Sequence, residues 1–241
     1  MCRGTKLAQN DTPSLIFTTL HKEIINLTIK PGQAVNEADI CSRFGASRTP
    51  VRTAFQRLSD AGLLQIIPYK GAFATLLDFD YITQMIFLRQ AVEAKVLTKI
   101  IEQADPFVAE RIRYSIRCQS LLLSSKFTAD EFYEVDSAMH SIWFEHTKRE
   151  HVWQTIQQFE VHYTRFRMLD IVEVQNFREI VDEHVELLQC IEQHDIAGME
   201  RLLDTHLMGG IKRLGDRIHN EFAGYFLNPA NQKRASGARR S

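Results

Sequence analysis

The apolar pattern of this 241-residue chain predicts a mainly α-helical protein in two parts: an N-terminal helical module closed by a small β-hairpin, and a C-terminal all-α bundle. Three observations carry that prediction. Apolar residues recur at helical spacing from Ser14 to Leu27 and again through Asn36–Leu64. Short strand-like runs occur at Gln65–Ile67 and Ala72–Leu76, and none follows Leu77. The charge changes sign at the same place. Residues 1–76 hold nine basic and five acidic residues, residues 77–227 hold 16 and 25, and the last 14 hold four and none. Such a step suggests that only the first part meets a polyanion.

The whole-chain composition, 44% apolar and 24% charged, is that of a soluble globular protein of one or two domains. There is no apolar run of transmembrane length, and Met1–Asn10 lacks the apolar segment of a signal peptide, so a cytoplasmic protein without a membrane partner is expected. Cys2, Cys41, Cys118 and Cys190 are scattered, as reduced thiols are, with no metal-ligand spacing among them.

Residues 1–13 are polar and aperiodic, a loose arm. In the first helix Leu15, Ile16, Leu20, Ile24, Ile25 and Leu27 form a stripe that ends before the Pro31-Gly32 turn. Asn36–Leu64 reads as two short helices joined by a tight turn. The second is capped by Ser47 and carries Pro50 in its first turn, where a missing N–H costs nothing. Val51, Phe55 and Leu58 recur at i, i+4 and i+7 and face inward, while Arg48 and Arg52 leave another face on the same side. A helix-turn-helix presents cations to a DNA groove in this way. An ordinary amphipathic helix with two solvated arginines is the alternative. With the hairpin, whose tip is Lys70-Gly71, these elements make a winged helix over residues 14–76.

Beyond Leu77 six helical stretches are expected, at about 78–104, 106–124, 128–148, 150–169, 175–193 and 195–222, with a break over Asp170–Gln175 and Asp195 as the last N-cap. They define a bundle over 78–222. The tail 228–241 is Pro/Gly/Ser/Arg-rich and reads as disordered, its arginines being an alternative source of nonspecific DNA attraction. Of nine histidines, six (His21, His146, His151, His162, His194 and His219) have no partner at ligand spacing. The other three differ. Asp136 and His140 are i, i+4 on one helix, and His184 and His206 each lie close to the apolar stripe of another. Helix bundles build metal sites from ligands projecting inward on facing helices. Imidazole nitrogens with one carboxylate suit zinc, nickel, manganese or iron, and the spacing does not choose among them. Satisfied core histidines are the other reading.

Two resemblances sharpen these expectations. The order LxxxI…PG…E…SRTPVR…A…RL…AGLL…P…KGAF resembles the DNA-binding domain of the GntR family of bacterial repressors. It is carried by Pro31-Gly32, Glu37, the block Ser47–Arg52, Ala54, Arg57-Leu58, Gly62-Leu63 and Gly71. The resemblance implies that Ser47, Arg48, Thr49 and Arg52 meet operator bases and phosphates and that the Lys70-Gly71 wing reaches the minor groove. Thr53 departs from the family's usual Glu, and Phe55 from the common Leu. Residues 78–222 resemble the all-helical FCD domain of the FadR subfamily, through Leu88-Arg89 with Glu93, Asp136-x3-His140, and the run from His184 to Leu207. Six helices fit its VanR-like branch. This resemblance implies that Asp136, His140, His184 and His206 hold one divalent metal beside a small organic acid, a sugar acid or other carboxylate. Arg89 then helps bind that acid; an exposed arginine paired with Glu93 is the alternative. Arg165 is a second candidate, since its planar fork suits a carboxylate.

The expected function is therefore a metabolite-responsive, non-enzymatic transcriptional regulator, a repressor, bound as a homodimer to a palindromic double-stranded DNA operator. Two other classes fit the ligand set: a metal-dependent enzyme acting on a small carboxylate, and a helical oligomerisation module with a purely structural metal.

Overall fold

A computed structural model describes residues 12–159 and 161–227. They fall into two units. The first comprises the described residues through Asp78 together with those from Glu221 on, and the second is Phe79–Asn220. The expected arm before residue 12 and the basic tail lie outside the described residues.

In the first unit α1 (Thr12–Ile25) buries Ile16, Leu20 and Ile24, as its stripe predicts. Asn36 caps α2 (Glu37–Phe44) through a hydrogen bond from the Ala38 N–H, and the helix ends at Gly45, whose φ of 58° suits glycine. The helix α3 (Arg48–Asp60) follows and buries Val51, Ala54, Phe55 and Leu58, each contributing roughly 1–3 kcal/mol of apolar transfer. A three-stranded antiparallel sheet of order β1-β3-β2 closes the unit: β1 (Ala34–Val35), β2 (Leu64–Ile67) and β3 (Gly71–Ala74). The two-residue β1 is too short to leave a periodic signal. The last strand ends at Ala74, short of the expected Leu76, because Thr75 turns its N–H to the Leu63 carbonyl and its hydroxyl to that of Gly62, 2.7 Å away.

The end of the described chain returns to this unit. Leu77, fully buried, donates to the Tyr225 carbonyl at 2.8 Å and accepts from the Leu227 N–H at 2.9 Å, forming a parallel bridge with Phe226. Phe222 and Phe226 are buried beside it.

The second unit is helical throughout its regular elements: α4 (Phe79–Gln103), α5 (Pro106–Leu122), α6 (Ala129–His146), α7 (Glu150–Phe159), α8 (Val161–Val174), α9 (Phe177–Glu192), α10 (Ile196–Leu207) and α11 (Gly209–Leu214). Local sequence sets the starts. Asp105 caps α5 with Pro106 at its first position, and Thr128 with Glu131 forms a capping box on α6. Asp195 caps α10 through the Gly198 N–H, as expected.

All six expected stretches are helical, but two are divided. The 150–169 stretch is split between α7 and α8, and the latter runs straight through the expected break at Asp170. That aspartate is buried and bound by Arg213, so it does not act as a helix breaker. The 195–222 stretch breaks at Met208-Gly209 and again at Gly215. With eight α-helices described, helix number does not place the chain in the VanR-like branch. No described helix is long and apolar enough to cross a membrane.

Candidate functional site

Two clusters of chemistry stand out, one on each unit. On the first, Arg48 and Arg52 project side by side from the first turns of α3 with side chains 77% and 66% exposed. Both face Glu37 at the start of α2: Arg52 Nε donates to its carboxylate at 2.9 Å, and Arg48 Nε lies 3.7 Å away. Ser47 occupies the N-cap position, but its hydroxyl makes no capping hydrogen bond, contrary to the sequence reading of Ser47 as a capping side chain. The first N–H groups of α3 therefore lack that internal acceptor, and an external oxygen atom suits them. Thr49 is exposed beside them.

A groove of about 620 Å3 runs between α3 and the hairpin, lined by Glu37, Arg52, Gln56, Tyr69, Lys70 and Gly71. At its wing side the turn needs two left-handed residues, Tyr69 (φ 63°) and Gly71 (φ 112°). Tyr69 is fully exposed at the wing tip. The motif reading passed over it because the turn signal lay in Pro68, Lys70 and Gly71.

The second cluster is buried. Asp136 and His140 leave the same face of α6, His184 comes from α9 and His206 from α10, and all four are buried. The three imidazoles converge. His206 Nε2 lies 3.4 Å from both His184 Nε2 and His140 Nε2. Asp136 Oδ1 is 3.6 Å from His184 Nε2, and Oδ2 is 3.9 Å from His140 Nε2.

The outward nitrogens explain why Nε2 points in. His184 Nδ1 meets Gln119 Oε1 at 2.9 Å, His206 Nδ1 meets Glu183 Oε2 at 2.7 Å, and His140 Nδ1 meets Glu93 Oε2 at 2.9 Å. Each acceptor fixes the proton on Nδ1 and leaves the Nε2 lone pair facing the centre. Arg89 Nη2, a donor only, also sits 3.1 Å from His140 Nδ1; its acceptor is Glu93, which it binds through Nε at 2.6 Å.

The charges follow. Burial opposes ionisation of Glu93, yet Arg89 and His140 hold its pKa down at about 2. Burial likewise opposes Asp136, but the Arg167 guanidinium keeps it well below the usual carboxylate range. Burial pushes His140 and His184 below an ordinary histidine, so their neutral, ligating forms prevail.

Three lone pairs and a carboxylate facing one another cannot satisfy themselves, and Asp136 Oδ1 is buried without a hydrogen-bond partner. Four ligands about 2.1 Å from a tetrahedral centre lie ~3.4 Å apart, close to the spacings here. The donor set fits a divalent cation, and His140, His184 and His206 form the buried triad suited to it.

Beside His206 lies a cavity of about 30 Å3 that also touches Arg89, Tyr163, Arg167, Asp170 and Arg213. Arg89 is indeed paired with Glu93, but buried rather than exposed, and its Nη1 also reaches the Tyr163 hydroxyl at 3.2 Å. Arg165 does not line the cavity. On α8 the cavity takes Tyr163, Phe166, Arg167 and Asp170, one helical face, and Arg165 falls outside it. Arg165 is fully buried, and burial lowers its guanidinium to about 10. Arg167 does line the cavity and donates to Asp136 Oδ2.

Comparison with known proteins separates these readings. Residues 84–209 match the FCD domain model, and residues 14–73 match that of bacterial regulatory proteins of the gntR family. The chain belongs to the GntR family and carries an FCD domain. This GntR regulator is 25% identical over 192 residues to the HTH-type transcriptional repressor RspR of Escherichia coli K12, covering 80% of this chain and 84% of that one. It is 28% identical to an HTH-type transcriptional regulator of Streptomyces ambofaciens, over 80% of each chain. The solved structure of E. coli McbR/YncC shares the fold, with a TM-score of 0.61 at 16% identity, covering 83% of this chain and 95% of that one. The regulator is thus a DNA-binding transcription factor and not an enzyme, and its histidine triad is consistent with an FCD metal site.

Proposed function

We propose that this GntR regulator is a repressor whose grip on a palindromic operator is set by a small organic acid bound beside a divalent metal. The single observation that carries the metal is the convergence of three imidazole Nε2 atoms and the unpartnered Asp136 oxygen on one point. Asp136, His140, His184 and His206 hold the ion, zinc first among zinc, nickel, manganese and iron. When bound, the ion supplies a Lewis-acid position for a carboxylate oxygen. Arg89 and Arg167 line the cavity next to it and bind and orient that carboxylate.

On the other side of the function, residues 14–76 form the DNA-binding domain and residues 78–222 the sensing and dimerisation domain. Arg48, Thr49 and Arg52 read bases and phosphates, Ser47 and the α3 N-terminus bind phosphate, and the Lys70-Gly71 wing follows the minor groove. Exposure of the α3 arginines and the open N-cap hydroxyl support these roles. Two copies meet two half-sites about one DNA turn apart, in the cytoplasm where the operator is. An acid that prefers the DNA-released form shifts the equilibrium by its difference in affinity and no more.

The test is metal analysis and thermal unfolding of the full chain, with and without chelator. One equivalent of metal is expected. At a hundredfold excess over its dissociation constant, the ion should add about 2.7 kcal/mol of stability that chelation removes. His184→Ala should abolish both the metal and the chelator effect. A metal-free chain indifferent to zinc overturns the proposal. If chelation lowers stability but no acid changes melting or operator affinity, the metal is structural only.

A further inference from the structure

One side of the cavity has no part in holding the metal. Arg213, on α11, donates to Asp170 through Nε and through Nη2, the latter at 2.8 Å. Its Nη1 is buried and has no hydrogen-bond acceptor, although Glu179 and Glu183 oxygens stand 3.6 and 3.8 Å away. Backbone chemistry keeps the group there. A Cβ on Gly209 would lie 2.7 Å from Nη1, so the guanidinium folds over a position that only glycine leaves open. Gly210 is less tightly placed, since a Cβ would come 3.1 Å from the Phe166 ring.

The charges around Arg213 decide what can reach it. A second carboxylate on the ligand would accept from Nη1 but would stand against Asp170, Glu179 and Glu183. A hydroxyl meets both requirements, accepting from the guanidinium while donating to a carboxylate. The cavity holds little more than a water in the described state, so a ligand must move one wall. The shortest wall is the six-residue α11, which opens with Gly209-Gly210 and is followed by Gly215.

We propose that Arg213, with Asp170, is a specificity-determining pair that reads a hydroxyl of the bound acid, so that the regulator answers to hydroxylated carboxylates in preference to plain or dibasic ones. The assignment rests on the carboxylate reading above. The carboxylate end lies toward Arg167, Arg89 and the metal ligands, and the hydroxylated end lies against Arg213 and Asp170.

The test uses three acids of equal carbon number on the zinc-loaded full chain: glycerate, propionate and malonate. Affinity is read by thermal shift and calorimetry, and each acid's effect on operator binding is read in parallel. Glycerate should bind at least about tenfold more tightly than either of the others, because a site built to bond a hydroxyl rejects a ligand lacking it. In Arg213→Gln that preference should fall to within about twofold while propionate binding persists. Gly209→Ala, which displaces the guanidinium without changing any charge, should do the same, and Arg213→Lys should restore part of the preference. Should Arg213→Gln unfold, Gly209→Ala and Arg213→Lys carry the test. Malonate or propionate binding as tightly as glycerate overturns the hydroxyl assignment and leaves the carboxylate reading standing. A glycerate preference untouched by displacing Arg213 does the same. Failure of wild type to bind any of the three removes both.

Discussion

The α3 surface and the histidine centre spend charge in opposite ways. At α3, Arg48 and Arg52 share one partly exposed carboxylate, Glu37, and stay largely in water. Exposed pairs of this kind contribute little to folding, ~0–1 kcal/mol, and exchange partners readily. In the second unit Arg89, Glu93, Asp136 and His140 are all buried, and each is held by another. The first arrangement leaves cations free to be captured by phosphate. The second fixes donor atoms in advance, so that an ion meets a formed site. The surface is built to let go and the interior to hold.

Substitutions should separate the two. The largest effect is expected at Glu93→Gln, which removes the carboxylate charge that the buried Arg89 guanidinium and His140 share. A loss of about 3–5 kcal/mol in urea unfolding follows from breaking such a pair. A cost below 1 kcal/mol would mean that the Arg89–Glu93 pair behaves like the surface ones and would dissolve the contrast. Next comes Arg48→Ala. Removing a bidentate base contact should weaken operator binding by about 1–3 kcal/mol, measured by fluorescence anisotropy, with the melting temperature hardly moved. Unchanged affinity for the native operator would sink the proposed role of Arg48. The smallest effect is expected at Glu37→Gln. Releasing both arginines from a carboxylate should tighten DNA binding by up to about 1 kcal/mol, more at low salt than at high. Weaker binding instead would show that Glu37 poses the arginines for DNA rather than competing with it.

The same contrast governs what could be read from sequence. The proposed DNA-reading surface is local: six consecutive residues, Ser47–Arg52, make it up, and the i, i+4, i+7 burial of Val51, Phe55 and Leu58 appears as expected. The histidine centre is spread over 70 residues and three helices, and its supports Glu93, Gln119 and Glu183 are invisible to spacing because tertiary packing brings them in. Periodicity could not tell Arg165 from Arg167, and only Arg167 lines the cavity. Tyr163, Arg165, Phe166, Met168, Leu169, Asp170 and Ile171 are all buried, so α8 has no polar face from which to read a phase. Asp170 looked like a helix breaker because its partner, Arg213, is 43 residues away. Nor does any local period announce that residues beyond Glu221 pair with Leu77.

That pairing bears on the order in which the protein is made. Leu77 leaves the ribosome long before Tyr225, Phe226 and Leu227, which supply its backbone partners and cover it. At ordinary rates of synthesis the wait is roughly 10–30 s, during which the helices of the second unit emerge. The DNA-binding unit is therefore finished last, although it is encoded first. A nascent chain interrupted within the second unit leaves Leu77 without its cover, so a truncated product that holds the helix-turn-helix but not the residues after Glu221 starts with its first unit incomplete.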